Sequence, residues 1–143
     1  MIHAFTTTNT SVVNQLRNSV IVKPNKASGF YGERIAVWDT GAMKTTVSSR
    51  IVSDFGLRVV KYAPVSTPNG KSIAACYYVD ILLPNSLTVA DVLVVEGTLD
   101  SFDVLIGMEI ISMGDFAVSN FNGKTVFSFR IPSVASIDFV NNP

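Results

Sequence analysis

An all-β domain is the expectation from this sequence, and three observations carry it. Short runs of Val, Ile, Phe and Tyr recur along the chain, broken by Gly, Pro and Asn, which is the texture of strands and turns. Residues 34–39 alternate, with Ile35 and Val37 on one face and Ala36 and Trp38 on the other. Asn69-Gly70 and Asn122-Gly123 each stand between extended runs, the strongest short signal for a hairpin turn.

In chain order, residues 12–17 and 20–23 read as two short strands, with a helical turn capped at Ser11 as the alternative. The residues before them, His3 included, are expected to fray. Residues 24–29 form a loop and 34–39 a strand. Val47-Ser48-Ser49-Arg50 then leads into Ile51, Val52 and Phe55, apolar at spacings of three and four, and Gly56 supplies the stop of a short helix. Residues 72–83 and 87–95 are long, apolar on both faces and separated by Pro84-Asn85, as strands buried on both sides or closed into a barrel are. A strand over 102–106, a short helical piece over 108–112 and a hairpin over 116–129 follow. The tail beyond Pro132 is only weakly patterned.

Composition removes several chemistries. A chain of 143 residues is one domain's length. Eleven Lys and Arg balance eleven Asp and Glu, so a nucleic-acid partner drawn by bulk phosphate attraction is not expected. Hydrophobic residues reach 48% and charged ones only 15%, which suggests a surface partly covered by a partner. Cys76 is the sole cysteine, which excludes disulfides and multi-cysteine zinc sites. His3 is the sole histidine, so a Ser-His-Asp or Cys-His engine would rest on one terminal residue. Apart from Asp100 and Asp103, no pair on one element has metal-ligand spacing, and no metal or cofactor is expected. No run approaches the roughly 20 apolar residues of a membrane span, and no signal peptide is visible at the start. A soluble cytoplasmic protein is the expectation.

The chemistry concentrates at Asp39-Thr40-Gly41-Ala42, directly after the apolar strand. A carboxylate at the end of a hydrophobic run is costly and usually has a partner or a task. Thr40 can bond backbone through its hydroxyl, and Gly41 permits close approach of chain or ligand. The triplet is followed by a short helix and, later, by Val104-Leu105-Ile106-Gly107, branched apolar residues closed by a glycine.

In these residues the chain resembles the retroviral-type aspartic proteases (retropepsins) and their bacterial relatives, over about residues 35–129. Their elements follow in family order: Val37-Trp38 into the Asp39 loop, a turn and helix, and Thr67-Pro68-Asn69-Gly70-Lys71 as the tip of a flap hairpin. Barrel strands, the apolar-apolar-glycine run, a short helix and a last hairpin complete the order. The resemblance implies a retropepsin-like acid-protease barrel with one or two short helices, formed by residues 31–132. Residues 1–30 then add strands or an extension of the same domain, and 133–143 a tail. It further implies an aspartic endopeptidase acting on peptide or protein substrates. No second Asp-Thr-Gly or Asp-Ser-Gly exists, and the reaction needs two carboxylates, so a homodimer pairing Asp39 of two chains follows.

By the same resemblance Asp39 activates water, Thr40 braces the two loops across the dimer, and Gly41 contacts substrate backbone. Val37, Ala42, Met43, Ile106 and Gly107 line the substrate site, with Thr67, Asn69 and Gly70 above it on the flap. Met43 and Lys44 replace acidic residues that retroviral members usually carry after this motif. The competing readings are an inactive peptide-binding or dimerisation module that kept the barrel, and a monomeric structural β-domain. Other residues have plain readings: Trp38 as packing, Asp103 as a turn cap or partner of a basic residue, Cys76 as a small buried hydrophobe. Tyr77 and Tyr78, adjacent in a strand, point to opposite faces.

Overall fold

The computed structural model describes residues 1–29 and 31–143. Its elements are β1 (His3–Thr8), β2 (Leu16–Pro24), β3 (Glu33–Trp38), β4 (Thr46–Ser48), α1 (Ser49–Asp54), β5 (Lys61–Thr67) and β6 (Gly70–Leu83). There follow β7 (Leu87–Gly97), β8 (Val104–Ile106), α2 (Met108–Ile111), β9 (Asp115–Ser119) and β10 (Val126–Ile131). The chain is mainly β, as expected, with two short α-helices among the described residues. No helix of these residues is long and apolar enough to cross a membrane.

Seven strands run β2-β3-β8-β4-β7-β6-β5, and β2 pairs with β6 as well, so the first six close into a barrel with β5 hanging outside it. Closure follows from long strands with apolar residues at alternate positions. Tyr77, Val79, Ile81 and Leu83 of β6 are all buried, and Val92 and Val94 of β7 pack beside them. Pairing of β6 with β7 shifts between Val79 and Ile81. There Asp80 accepts hydrogen bonds from the N–H of Asp91 at 3.0 Å, the N–H of Lys26 at 3.0 Å and the side chain of Asn25 at 3.1 Å. Of these donors Asp91 N–H lies on β7 at the register shift itself, and the other two come from the segment after β2.

A smaller sheet, β1-β10-β9, packs an aromatic cluster against the barrel. Phe5, Phe127 and Phe129 are buried around Trp38, which stacks on Phe116 at 5.6 Å between centroids and 9° between planes. Trp38 is therefore packing, as its size suggested. The sheet corrects the reading of the N-terminus. His3 lies in β1, paired over its whole length with β10, because Phe5 anchors a β-branched Thr6-Thr7-Thr8 run against Phe129. Residues 12–15 carry neither strand nor helix, and the two short strands expected over 12–17 and 20–23 are one strand from Leu16 to Pro24.

The helix after Val47 is present, capped by Ser48 Oγ, which accepts from Ile51 N–H at 3.3 Å. Asp103 accepts from Ser48 Oγ at 2.7 Å and pairs with Arg50 at 2.8 Å. Burial alone would raise its carboxyl, but these two donors outweigh it and hold the group below the ordinary carboxylate range. Asp103 is a structural partner of a basic residue, one of its two expected roles. Cys76 is buried.

Tyr77 is buried and Tyr78 half in solvent, so the pair does face opposite sides. Tyr77 donates to Glu96 Oε1 at 2.7 Å. Burial, then that bond and the Glu96 charge, push its hydroxyl from 10.0 up to about 12. The neutral form is favoured by folding, so its stabilisation is complete below pH 10 and declines as pH rises through about 12. Ultraviolet titration is expected to show one tyrosine ionising last, with loss of fold, and that step should vanish in Tyr77→Phe.

The tail after β10 is fastened at one residue. Asp115 accepts from Ser133 Oγ at 2.5 Å, Val134 N–H at 2.8 Å and Arg130 Nε at 2.7 Å, which together hold its carboxyl far below the ordinary range. Asp115→Asn is expected to expose the amides of Val134 and Ala135 to hydrogen exchange while barrel amides keep their protection. Unchanged tail protection would show that the apolar residues hold it instead.

Candidate active site

Asp39 follows the last residue of β3, and its position is set by the parallel pairing of β3 with β8, Trp38 opposite Ile106. Asp39 N–H continues that ladder by donating to the Ile106 carbonyl at 2.9 Å. The chain then turns tightly. Asp39 Oδ1 accepts from Gly41 N–H at 2.8 Å, and the Asp39 carbonyl accepts from Ala42 N–H at 3.2 Å. A Cβ on Gly41 would lie 3.1 Å from Asp39 Oδ1, so the glycine leaves the carboxylate room. Asp39 is half-buried and forms no ion pair among the described residues.

The far side of the loop is clamped by α2. Met108 N–H donates to the Ala42 carbonyl at 2.7 Å and Glu109 N–H to the Met43 carbonyl at 3.2 Å. Glu109 reaches back with Oε1, accepting from Thr45 N–H at 2.5 Å, and its other oxygen lies 3.4 Å from Lys44 Nζ. Thr45, fully buried, accepts from Gly107 N–H at 3.2 Å. Close approach of the two segments requires a glycine: a Cβ on Gly107 would stand 2.7 Å from the Lys44 backbone and 3.0 Å from the Ala42 oxygen. Thr45 and Glu109 were not singled out by sequence. Their one signal was an acidic residue in the first turn of a helix beside the glycine.

The structure thus joins Asp39, Gly41, Ala42, Met43 and Gly107 through direct bonds or contacts. Thr40, Gly41 and Met43 are exposed on the loop, Met43 by 82%. Val37 and Ile106, expected to line side-chain pockets, are closed off from solvent at 5% and 0% exposure. Ile106 belongs to the hydrophobic core cluster, which takes up its side chain. Thr67, Asn69 and Gly70 lie apart from the loop at the tip of the β5–β6 hairpin, where Thr67 Oγ1 donates to the Gly70 carbonyl at 2.9 Å and Gly70 has φ of +115°. All three are exposed.

Two surface cavities, of about 300 and 530 Å³, are lined by other residues than Asp39. Among the described residues no group of three or more His, Cys, Asp or Glu is placed to hold a metal ion.

No protein-family model matches the sequence, and no curated protein matches it. Solved structures do. A retropepsin-like aspartic protease from Rickettsia conorii superposes with a TM-score of 0.55 at 12% identity, over 91% of this chain and 95% of that one. The Simian Foamy Virus (mac) protease does so with a TM-score of 0.50 at 20% identity, over 68% of this chain and 92% of that one. At such identities the likeness speaks for architecture, and on that ground this chain has the retropepsin-like fold.

Proposed function

We propose that the protein is an aspartic endopeptidase that works as a symmetric homodimer, with Asp39 of the two subunits meeting on the two-fold axis. The observation that carries this reading is a half-buried carboxylate without a cationic partner among the described residues, held on a loop that is clamped by α2 and exposes Thr40, Gly41 and Met43. One Asp39 takes a proton from water while its twin protonates the peptide carbonyl oxygen. Two carboxyls about 3 Å apart cannot both ionise readily, so the pair shares one proton. Thr40 braces the two loops by bonding across to the other subunit, a role that its exposure beside Asp39 supports. Gly41, Ala42 and Met43 offer backbone and apolar surface to the substrate. The β5–β6 hairpin closes over it as a flap, excluding water and bringing Thr67, Asn69 and Gly70 to the peptide. Gly107 acts through the loop it lets α2 approach. The cytoplasmic setting belongs to the same reading.

Because Ala42 brings no hydroxyl to the carboxylates, the activity is expected to peak in mild acid. A profile peaking below about pH 3 would count against this placement of the dyad. Cleavage of an unfolded protein, blocked by a statine-type peptide whose hydroxyl mimics the tetrahedral intermediate, tests the reaction. Light scattering tests the dimer, since a monomer cannot assemble two such acids. Peptide binding without cleavage would instead favour an inactive binding module.

A further inference from the structure

β6 joins β7 only from Cys76, which stands opposite Val95, and before that residue it pairs with β5 alone. Glu96, the next residue of β7, has Val47 of β4 opposite it on one side and no β6 partner on the other. It therefore stands at the fork where the β5–β6 hairpin leaves the barrel. Residues two apart on a strand share a face, so Glu96 lies on the side of buried Val92 and Val94. A half-buried carboxylate there is costly unless donors reach it.

Two donors do, from different elements. Tyr77, the first residue of β6 beyond the fork, donates its hydroxyl to Glu96 Oε1 at 2.7 Å. Ser49, the first residue of α1, donates Oγ–H to Oε2 at 2.8 Å. No cation pairs with Glu96 among the described residues. Both oxygens are thus held by neutral hydroxyls, and hydrogen bonds to an ionised acceptor are the stronger kind. α1 is itself fixed, since its N-cap Ser48 donates to Asp103, which pairs with Arg50.

We propose that Glu96 is a positioning residue for the β5–β6 hairpin. By joining Tyr77 to α1 it sets the direction in which the hairpin leaves the barrel, and with it the pose in which Thr67, Asn69 and Gly70 meet a substrate. The substrate effect rests on the reading of that hairpin as the flap. With the joint cut, the hairpin samples other directions, and apparent affinity falls by the fraction of time spent away from the productive one.

The test compares full-length wild type with Glu96→Ala, Glu96→Gln and Tyr77→Phe, each labelled with nitrogen-15. In Glu96→Ala, relaxation dispersion is expected across the amides of residues 62–74 and not across those of β2, β3 and β8. KM for a peptide substrate should rise about fivefold or more while kcat stays within about twofold, since saturating substrate selects the productive direction. Glu96→Gln should restore both readouts, because its side-chain oxygen accepts from Tyr77 and its amide donates to Ser49 Oγ. Should Glu96→Ala fail to fold, Tyr77→Phe, which removes only the bond on the hairpin side, carries the same expectations. Quiet hairpin amides in these variants, or a glutamine variant as mobile as the alanine one, would overturn the proposal. Mobile amides with an unmoved KM would uphold the anchor and overturn its effect on substrate. If wild type hydrolyses nothing, the protease reading falls, and the hairpin amides still decide for or against the anchor.

Discussion

Asp39→Asn is expected to lower peptide hydrolysis about a thousandfold or more while leaving the protein folded. The reaction asks one carboxyl to accept a proton and its twin to donate one, and an amide does neither. Stability should move by no more than about 1 kcal/mol, because an asparagine oxygen can still accept the Gly41 N–H now given to Asp39 Oδ1. Cleavage rates and a thermal melt on the same preparation separate the two effects. Equal hydrolysis by wild type and variant would end the protease reading.

Gly107→Ala is expected to fail in the opposite way, through structure first. The added methyl would meet the Lys44 carbonyl carbon and oxygen at 2.7 Å, and backbone cannot swing aside as a side chain can. Either α2 or the Asp39 loop must retreat, straining the bonds from Met108 and Glu109 to Ala42 and Met43. Overpacking of this kind costs about 3 kcal/mol, which lowers Tm by roughly 10 °C, and the displaced loop should lose hydrolysis as well. A melt unchanged from wild type would mean that the two segments separate without cost and that the clamp does not position the loop.

What the sequence disclosed follows physical lines. The barrel was legible because residues such as Val79, Ile81, Val92 and Val94 are buried by strands whose apolar pattern is intrinsic to them. Both Asn-Gly turns were legible because their backbone demands those residues: Gly70 and Gly123 have positive φ, as does Asn122. The Asp39 loop was found by its unusual chemistry. β1 was missed, since a Thr-rich hexamer gains its burial from Phe127 and Phe129, more than a hundred residues away. Glu96, Asp115 and Glu109 were missed for a related reason. Each is an ordinary polar residue whose partners come from other elements, so nothing local distinguished it. Pairing of two subunits is a property of two chains and is not contained in the geometry of one.

The fourteen residues of β6 change partner midway, with Cys76 paired to both Lys61 of β5 and Val95 of β7. From there one half is bolted into the barrel wall and the other projects with β5 into solvent. A continuous rod held at one end is a lever, and its fulcrum falls at a small, buried thiol side chain. Bending of the arm can proceed without disturbing the wall, whereas bulk added at the fulcrum should be felt at both ends.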